Sequence, residues 1–348
     1  METQFGAGLG PRSEAHGRSA RTKRGRDKKP KSGSPLKKVI AAVLVLLLAV
    51  GGYVGYLVWE TYYAIRTVGV DREVPPGESV KDKPKAFLLL GVDSRAKTGT
   101  LNTDVIMVAA LNPATKSATV VSVPRDSLIQ LDGYKQQKAN QFYAGFLRSV
   151  KKDGLSGEQA ELAAKEELRK MFGKMFGIPI DYAATINFKG FIDVVDALGG
   201  VTVDVDMDMR YVDRADGTNI NLSKGVQKLN GQQALDFIRY RKSNDGKNMS
   251  DDFSRNKRQG EVLAAIADKL KSFGGAAKLG SVISAVGDNM KTDMPSSEIT
   301  QLFTTYFGID KDNIEYIPLQ GDWKSPYVYL NAARLEEARA ALAARMAE

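Results

Sequence analysis

The chain has 348 residues, of which 43% are hydrophobic and 26% are charged, a composition typical of a globular protein. It has no cysteine, which excludes disulfides, thiol catalysis and thiolate metal sites, and its one histidine, His16, lies near the N-terminus, which excludes Ser-His-Asp hydrolysis and histidine-ligated zinc in the rest of the chain. The net charge is +9, but residues 1–38 hold eleven Lys or Arg and three Asp or Glu, whereas the other 310 residues hold 39 and 38, so the excess positive charge belongs to the N-terminal segment.

The N-terminal segment predicts a membrane anchor. Residues 1–38 are rich in Gly, Pro, Ser and Lys, a composition typical of a disordered tail. Residues 39–59 are free of charge and, as a helix, would be about 31 Å long, the thickness of a bilayer's hydrocarbon core. Lysines precede this run and aromatic residues cluster at its end, so the tail is predicted to be cytoplasmic and the chain from Glu60 onward extracytoplasmic, in a single-pass protein of the cell membrane. A signal peptide cleaved near Ala49 is the alternative, but the apolar run continues past that point.

The rest of the chain predicts a stalk and one folded domain. Residues 60–86 include a polar stretch and are predicted to form an extracytoplasmic stalk. Residues 87–348 show apolar runs and alternating patterns typical of strands, mixed with helical patterns of ten or more residues, which indicates an α/β layered domain. The second and third strands are predicted to form a hairpin. The predicted strands are 86–93, 104–111, 118–124, 181–188 and 201–207, and the predicted helices are 156–176, 189–198, 254–270 and 331–347.

Two carboxylates are predicted to meet at one edge of the sheet. Asp93 ends the first strand and Asp104 begins the second, so both lie at the same edge if these strands are neighbours. Two carboxylates without His or Cys suit a hard cation such as Mg²⁺ or Mn²⁺, which prefers oxygen ligands. The alternative is structural: Asp93 caps a turn and Asp104 only starts a strand, since Asp is common at such positions.

Arginines recur at strand ends and on one predicted helix of the domain. Two follow strand ends, two alternate along an apparent strand at 236–242, and two share a helix face with a glutamine, one turn after an aspartate. Guanidinium groups gathered in this way repel one another unless anions lie among them. These residues are Arg95 and Arg125, Arg239 and Arg241, Arg255, Arg258 and Gln259, and Asp252.

Two kinds of anion remain open as partners of this arginine cluster. Asp236, Asp245, Asp251 and Asp252 would make it a structural ion network. A phosphate or pyrophosphate is the other possibility, because the planar guanidinium group binds phosphate through two parallel hydrogen bonds. Nucleic acid is not expected, because the domain is nearly neutral, faces outward and lacks a groove of interleaved aromatic and basic residues. The residues alone indicate a metal-assisted site for a phosphorylated, membrane-proximal ligand.

Five stretches in this order resemble the LytR-CpsA-Psr family of cell-wall glycopolymer transferases. The resemblance is dense over residues 87–266, and the cytoplasmic tail with a single anchor is also similar to that family. It implies an α/β fold in which a central mixed β-sheet is packed between α-helices, preceded by one transmembrane helix, with a pocket for a lipid chain. The stretches are FLLLGVDSR (87–95), TDVIMVAALNPATKSATVVSVPRD (103–126), DALGGVTVDVD (196–206), LNGQQALDFIRYRK (229–242) and DDFSRNKRQ (251–259).

The resemblance also implies a phosphotransferase and assigns roles to its residues. The implied reaction moves a glycopolymer, such as a teichoic acid, capsule or arabinogalactan, from a polyprenyl-pyrophosphate carrier to a hydroxyl of peptidoglycan. Asp93 and Asp104 are implied to hold Mg²⁺ or Mn²⁺, Asp93 is the candidate base, and Asp252 is implied to support the site. The implied pyrophosphate ligands are Arg95, Arg125, Arg239, Arg241, Arg255, Arg258 and Gln259, and the implied catalytic residues are Asp93, Arg95, Arg125, Arg239 and Arg241.

Two other functions remain open on the sequence. A non-catalytic protein that binds polyprenyl phosphates would use the same arginines, although phosphate capture alone does not need the Asp93 and Asp104 pair. A pyrophosphatase that releases polyprenyl phosphate to water would share the whole site and differ only in the acceptor.

Overall fold

A six-stranded mixed sheet lies at the centre of the structure, a computed structural model that describes residues 59–347 apart from 60–61, 64, 94–100, 216, 272–281 and 308. The strands are β1 Lys85–Asp93, β2 Asn102–Asn112, β3 Ser117–Ser122, β4 Leu128–Ile129, β5 Gln137–Lys138, β6 Tyr182–Asn187, β7 Val201–Val205, β8 Met209–Asp213, β9 Thr218–Leu222, β10 Gly225–Leu229, β11 Met290–Thr292, β12 Ile314–Pro318, β13 Gly321–Lys324 and β14 Tyr327–Leu330. The helices are α1 Phe142–Lys152, α2 Gly157–Phe176, α3 Phe188–Ala197, α4 Gly231–Arg239, α5 Asp252–Lys271, α6 Ser296–Tyr306 and α7 Ala332–Ala347.

The predicted tail and membrane span, residues 1–59, lie outside the described residues except for Trp59. Among the helices that the structure describes, none is both long and apolar enough to cross a bilayer. The anchor therefore stays a prediction from the sequence.

The direction of the strands fixes where polar side chains collect. The strand order is β11-β6-β1-β2-β3-β12; β1 is parallel to β6, β3 is parallel to β12, and β2 runs antiparallel between β1 and β3. The four strands β1, β3, β6 and β12 therefore end at the same edge, which we call the carboxyl edge. The predicted hairpin of β2 and β3 is confirmed, and β1 and β2 are neighbouring strands as predicted.

The two faces of the sheet are covered by different helices. On one face, Leu88 and Leu90 of β1 pack in a core with residues of α1, α2 and α7, including Phe142, Phe172 and Leu342. The apolar side of α2 is thus ordinary core. On the other face, the core includes residues of α6 and of the segment 65–80.

Two small two-stranded sheets and three helices form a third core beside the second face. The predicted strand at 201–207 is β7, which pairs with β10 and has alternately buried and exposed residues, as expected for a strand with one wet face. Residues of α3, α4 and α5 pack against it, among them Val195, Phe237 and Val262. This third core places α4 and α5, which hold Arg239, Arg255 and Arg258, close to the carboxyl edge, so that Arg239 and Arg255 line one cavity with Asp93.

The strand reading of residues 236–242 was wrong, because residues 231–239 form helix α4. The Asn230 side chain accepts a hydrogen bond from the Gln233 backbone N–H at 2.9 Å, and the Gln233 side chain accepts one from the Asn230 N–H at 3.0 Å. This reciprocal capping box satisfies two N–H groups that a helix start leaves without partners. The helix ends at Arg239, where the backbone of Tyr240 becomes extended.

The predicted stalk was also wrong for much of its length, because several of its residues belong to the folded domain. Ile65, Val68 and Val80 are buried. The carboxylate of Glu298 in α6 accepts hydrogen bonds from the Ser79 hydroxyl at 2.8 Å and from the Val80 backbone N–H at 2.7 Å. The domain therefore begins near residue 65 and not at residue 87.

Candidate active site at the carboxyl edge

The two aspartates lie at the carboxyl edge, as predicted. Asp93 is the last residue of β1 and is paired with Asn102, and Asp104 is two residues further along β2. Arg125 follows β3 at the same edge, and its Nη1 donates a hydrogen bond to Asp104 Oδ1. The end of β1, the start of β2 and the segment after β3 thus bring carboxylates and a guanidinium group together.

Asp126 holds Arg125 from the other side. Its Oδ2 accepts a hydrogen bond from Arg125 Nε at 3.4 Å, and its Oδ1 accepts one from Lys138 Nζ at 2.8 Å. Burial favours the neutral form of Asp126, but the bond from Lys138 and the charges of Arg125 and Arg241 outweigh it and keep the pKa of Asp126 below its usual value. Asp126 is therefore an anion at neutral pH.

Arg239 and Arg241 reach the same place from the end of α4. The Arg239 guanidinium lies 4.3 Å from the centre of the Phe188 ring, a cation–π contact. The backbone carbonyl of Arg241 accepts a hydrogen bond from the Ser250 N–H at 2.7 Å, which ties the loop after α4 to the start of α5. Burial and the charge of Arg125 lower the pKa of Arg241.

Helix α5 contributes Arg255 from its first turn. Asp251 caps the helix, since its Oδ1 accepts a hydrogen bond from the Ser254 N–H at 2.8 Å. Arg255 is only 9% exposed. Burial, together with the charges of Arg241 and Arg125, lowers the pKa of Arg255 to about 9. The positive charges of these arginines thus act on one another at this place.

These side chains line one cavity of about 530 Å³. One part of its wall is polar and the other apolar, a combination typical of a site for an amphiphilic ligand. The polar residues that were predicted are Asp93, Asp104, Arg125, Arg239, Arg241, Arg255 and Gln259. The apolar lining includes Leu89, Val105, Met107, Ile186, Phe188, Phe191, Ile220, Leu235, Ile238, Val262, Leu263 and Ile266.

The LytR-CpsA-Psr family model matches residues 65–344. The chain belongs to this family. TagU of Bacillus anthracis, named a polyisoprenyl-teichoic acid–peptidoglycan teichoic acid transferase, is 32% identical over 299 residues, which cover 82% of this chain and 88% of TagU. TagT of Bacillus subtilis, named as the same kind of transferase, is 28% identical over 337 residues, which cover 90% of this chain and 95% of TagT. The predicted family and the predicted class of enzyme, a transferase, are confirmed.

Solved structures of the LytR-CpsA-Psr family share the fold. The crystal structure of B. subtilis TagV has a TM-score of 0.59 at 28% identity and matches 76% of this chain and 98% of its own. A structure described as TagT bound to LI-WTA has a TM-score of 0.56 at 27% identity and matches 80% of this chain and 94% of its own. The predicted α/β fold with a central mixed sheet is confirmed.

Two of the residues assigned from the family resemblance have side chains outside the described part of the structure, and a third does not line the cavity. Arg95 lies outside the described residues, and so does the side chain of Asp252, the first residue of α5. Arg258 is placed differently from the prediction: its Nε and Nη2 donate to the two carboxylate oxygens of Asp206 at 2.8 and 2.7 Å, and Nη1 donates to the Ser250 hydroxyl at 2.9 Å. It holds α5 against the end of β7 and does not face the cavity.

Several cavity residues were missed by reading the LytR-CpsA-Psr motifs. Asn102 pairs with Asp93, Lys242 follows Arg241, and Asn187 ends β6 at the carboxyl edge. The side chain of Asn187 also caps α3 by accepting a hydrogen bond from the Gly190 N–H at 2.8 Å. A signal for Asn187 was present, because a polar residue at the end of an apolar strand is the same pattern that pointed to Asp93.

Proposed function

We propose that this protein transfers a glycopolymer, together with one phosphate, from a polyprenyl-pyrophosphate carrier to a hydroxyl of peptidoglycan. The observation that supports this function best is a single cavity with an arginine-rich part and an extended apolar part. The teichoic acid and peptidoglycan in the names of the related transferases TagU and TagT indicate the class of polymer and the acceptor.

The apolar wall suits the polyprenyl chain of the carrier. It is formed by residues of β1, β2, β6, β9, α3, α4 and α5. An isoprenoid chain in this space would be removed from water, which stabilises binding in proportion to the apolar area buried. The predicted anchor at 39–59 would hold the domain near the membrane that carries this lipid.

The arginines suit the pyrophosphate. Arg125, Arg241 and Arg255 place positive charge in a partly buried site, where charge-assisted hydrogen bonds to phosphate oxygens are stronger than at an exposed surface. Arg239 and Gln259 line the same cavity and add donors. A pyrophosphate bound there would relieve the repulsion among the guanidinium groups.

Asp93 and Asp104 would hold the metal ion. Within the described part of the chain there is no group of three or more His, Cys, Asp or Glu side chains that would enclose a metal by itself. Two carboxylates beside a phosphate site still fit Mg²⁺ or Mn²⁺, which commonly takes one or two protein carboxylates and completes its shell with water and phosphate oxygens. When bound, the ion would neutralise charge on the pyrophosphate.

The proposed reaction needs no covalent intermediate with the protein. The acceptor hydroxyl oxygen forms a bond to the phosphorus that bears the glycopolymer, and the bond from this phosphorus to the bridging oxygen breaks. The bridging oxygen keeps the electron pair and leaves as part of polyprenyl phosphate, and the hydroxyl proton passes to a base, for which Asp93 is the candidate. Arg125, Arg241 and Arg255 stabilise the charge that develops on the phosphate oxygens.

The test is to follow release of polyprenyl phosphate from a lipid-linked polymer by the full-length protein with Mg²⁺, in the presence and absence of peptidoglycan fragments. Release that requires the fragments and leaves sugar phosphate attached to them supports the transferase. Equal release without fragments supports the pyrophosphatase. Tight binding without release under either condition supports the non-catalytic binder.

Replacing Asp93 with alanine tests the metal assignment. Asp93→Ala is expected to abolish turnover, because a metal ligand and the candidate base are lost together, while the arginines and the apolar wall still bind the carrier. Turnover and carrier binding are measured on the same preparation. Unchanged turnover in this variant would contradict the assignment.

A further inference from the structure

The hairpin of β13 and β14 places an exposed tryptophan beside the proposed active site. The side chain of Trp323 is 57% exposed, a large value for this residue type. The hairpin is fixed to the segment after Arg125, because the Val328 N–H donates a hydrogen bond to the Asp126 carbonyl at 2.9 Å and Val328 forms a bridge with Ser127. The position of Trp323 therefore depends directly on the segment that positions Arg125.

Consecutive contacts connect Trp323 with the arginine cluster. Lys138 Nζ lies 5.8 Å from the centre of the Trp323 ring and donates a hydrogen bond to Asp126 Oδ1 at 2.8 Å. Asp126 in turn accepts a hydrogen bond from Arg125. Three contacts thus separate the exposed ring from a guanidinium group of the cavity, and the ring is flanked by a cation.

We propose that Trp323 and Lys138 form the subsite that binds the sugar of the peptidoglycan acceptor. The apolar face of a pyranose ring stacks on a tryptophan ring, and an exposed ring lets a long glycan strand approach from the side. Lys138 suits the carboxylates that the lactyl and peptide parts of peptidoglycan carry. This proposal rests on the proposed transferase function and names where its acceptor binds.

We assign the Trp323 subsite to the acceptor and not to the donor, because the two substrates must reach the phosphate from different sides. The apolar lining of the cavity comes from β1, β2, β6, β9 and α3 to α5, whereas the hairpin lies next to β4, which follows Arg125 in the chain, and comes after the edge strand β12. In phosphoryl transfer the attacking and leaving oxygens are roughly in line with the phosphorus. If the polyprenyl phosphate leaves toward the apolar lining, the acceptor oxygen approaches from the side of the hairpin.

Contact with the membrane explains the exposure of Trp323 less well than contact with peptidoglycan. The chain enters the domain through residues 65–70, where the Val70 N–H donates a hydrogen bond to the Met294 carbonyl at 3.0 Å, close to β11. Strands β11 and β12 are the opposite edges of the six-stranded sheet, so the hairpin after β12 lies at the other edge from the point where Val70 joins the domain. This separation favours a ligand of the cell wall over the bilayer as the partner of Trp323.

A binding experiment tests the subsite without any turnover. The chain has two tryptophans, Trp59 and Trp323, so full-length Trp59→Phe leaves Trp323 as the only fluorescent indole. We expect a saturable change in its emission with a disaccharide-peptide fragment of peptidoglycan, and about tenfold weaker binding of the fragment in Lys138→Ala. A response to lipid vesicles or to free glycopolymer, with none to the fragment, would overturn the proposal.

A kinetic experiment tests its use in transfer. Trp323→Ala is expected to raise the KM for the fragment about tenfold with little change in the KM for the lipid-linked donor, and Trp323→Phe to restore most of the loss. Tyr329→Ala is the control, because Tyr329 is 39% exposed on the same hairpin and contacts Lys324, not Lys138. An unchanged KM for the fragment in Trp323→Ala overturns the proposal. If no variant or wild-type protein transfers, the proposed function fails, and the fluorescence result still decides whether the subsite exists.

Discussion

Two arginines three residues apart on helix α5 have opposite surroundings. Arg258 is 1% exposed, and Asp206 accepts two hydrogen bonds from its guanidinium group. Arg255 is 9% exposed; burial and the charges of Arg241 and Arg125 lower its pKa, and the carboxylates Asp104 and Asp126 act in the opposite direction. The first arginine is held by a carboxylate away from the cavity, and the second lines the cavity together with three other arginines.

The difference separates a residue that holds the fold from one that is kept for a ligand. A buried charge is costly unless a partner of opposite sign compensates it. For Arg258 the compensation is a paired carboxylate at the end of β7. For the cluster around Arg255, a bound pyrophosphate would complete the compensation, so the domain should gain stability when the ligand binds. Substitutions in the two regions are therefore expected to affect different quantities.

The largest effect is expected at Arg255. Arg255→Met keeps most of the apolar stem but removes the charge, so turnover should fall by about 10²–10³-fold, the range seen when one donor to a developing charge is removed. The free energy of unfolding without ligand should stay within about 1 kcal/mol of wild type, because the apolar stem is kept. Steady-state kinetics and urea denaturation measure the two quantities.

The control for Arg255→Met must be an arginine outside any network. Arg169 looks like a helix-surface residue in the sequence, but its Nε lies 2.8 Å from Asp293 Oδ2 and its Nη1 donates to the Asp181 carbonyl at 2.7 Å. Arg148 on α1 is exposed and bonds only to the Ala144 carbonyl of its own helix, so Arg148→Met is the better control. If Arg255→Met lowers stability and leaves turnover at the level of Arg148→Met, the Arg255 region is structural.

The opposite result is expected for the Arg258 pair. Asp206→Ala leaves a buried guanidinium group without its carboxylate, and the free energy of unfolding should fall by about 2 kcal/mol; the value is reduced because Asp206 is 38% exposed on its side chain and water reaches it. Turnover by the folded protein should change far less than in Arg255→Met. Asp204→Ala, at an exposed position of β7, should stay within about 0.5 kcal/mol of wild type. Equal stability of the two aspartate variants would contradict the role of Arg258.

Much of the fold was predictable because the signals are local. Apolar runs predicted β1, β2, β3 and β6, and Ser156 and Gly177 bound the helix predicted at 156–176. The strand predicted at 236–242 was wrong because an alternation of only three residues also occurs at the end of a helix. The capping box at Asn230 was the stronger signal. The packing of the predicted stalk depends on hydrogen bonds from Ser79 and Val80 to Glu298, more than 200 residues away, which no local pattern reveals.

The site was predictable from two signals, polar residues at strand ends and the arginine-rich motifs at 239–241 and 255–259. Asp93, Asp104 and Arg125 were found because polar residues at the carboxyl edge of a sheet collect around ligands. Arg258 was misplaced because spacing along a helix does not show that Asp206, 52 residues earlier, pairs with it. The apolar wall comes from seven elements with one to three residues each, so no segment of the sequence displays it.

The smallest effect is expected at Asp126, the carboxylate that contacts Arg125, and concerns how the free energy of unfolding depends on pH. The pKa of Asp126 is lowered because Lys138, Arg125 and Arg241 together outweigh the effect of burial. A carboxyl whose pKa is lower in the folded state stabilises the fold at pH values above its unfolded pKa, near 3.8, and this contribution is lost as the pH falls through the lower folded value. In wild type, the free energy of unfolding should therefore fall more steeply below about pH 4 than in Asp126→Asn, where the group does not titrate. Asp132→Asn is the matched control, because the Asp132 side chain is 99% exposed. Identical slopes for wild type and Asp126→Asn in acid denaturation would mean that the positive charges do not act on Asp126, although Arg125 and Lys138 both contact it, as Arg258 contacts Asp206.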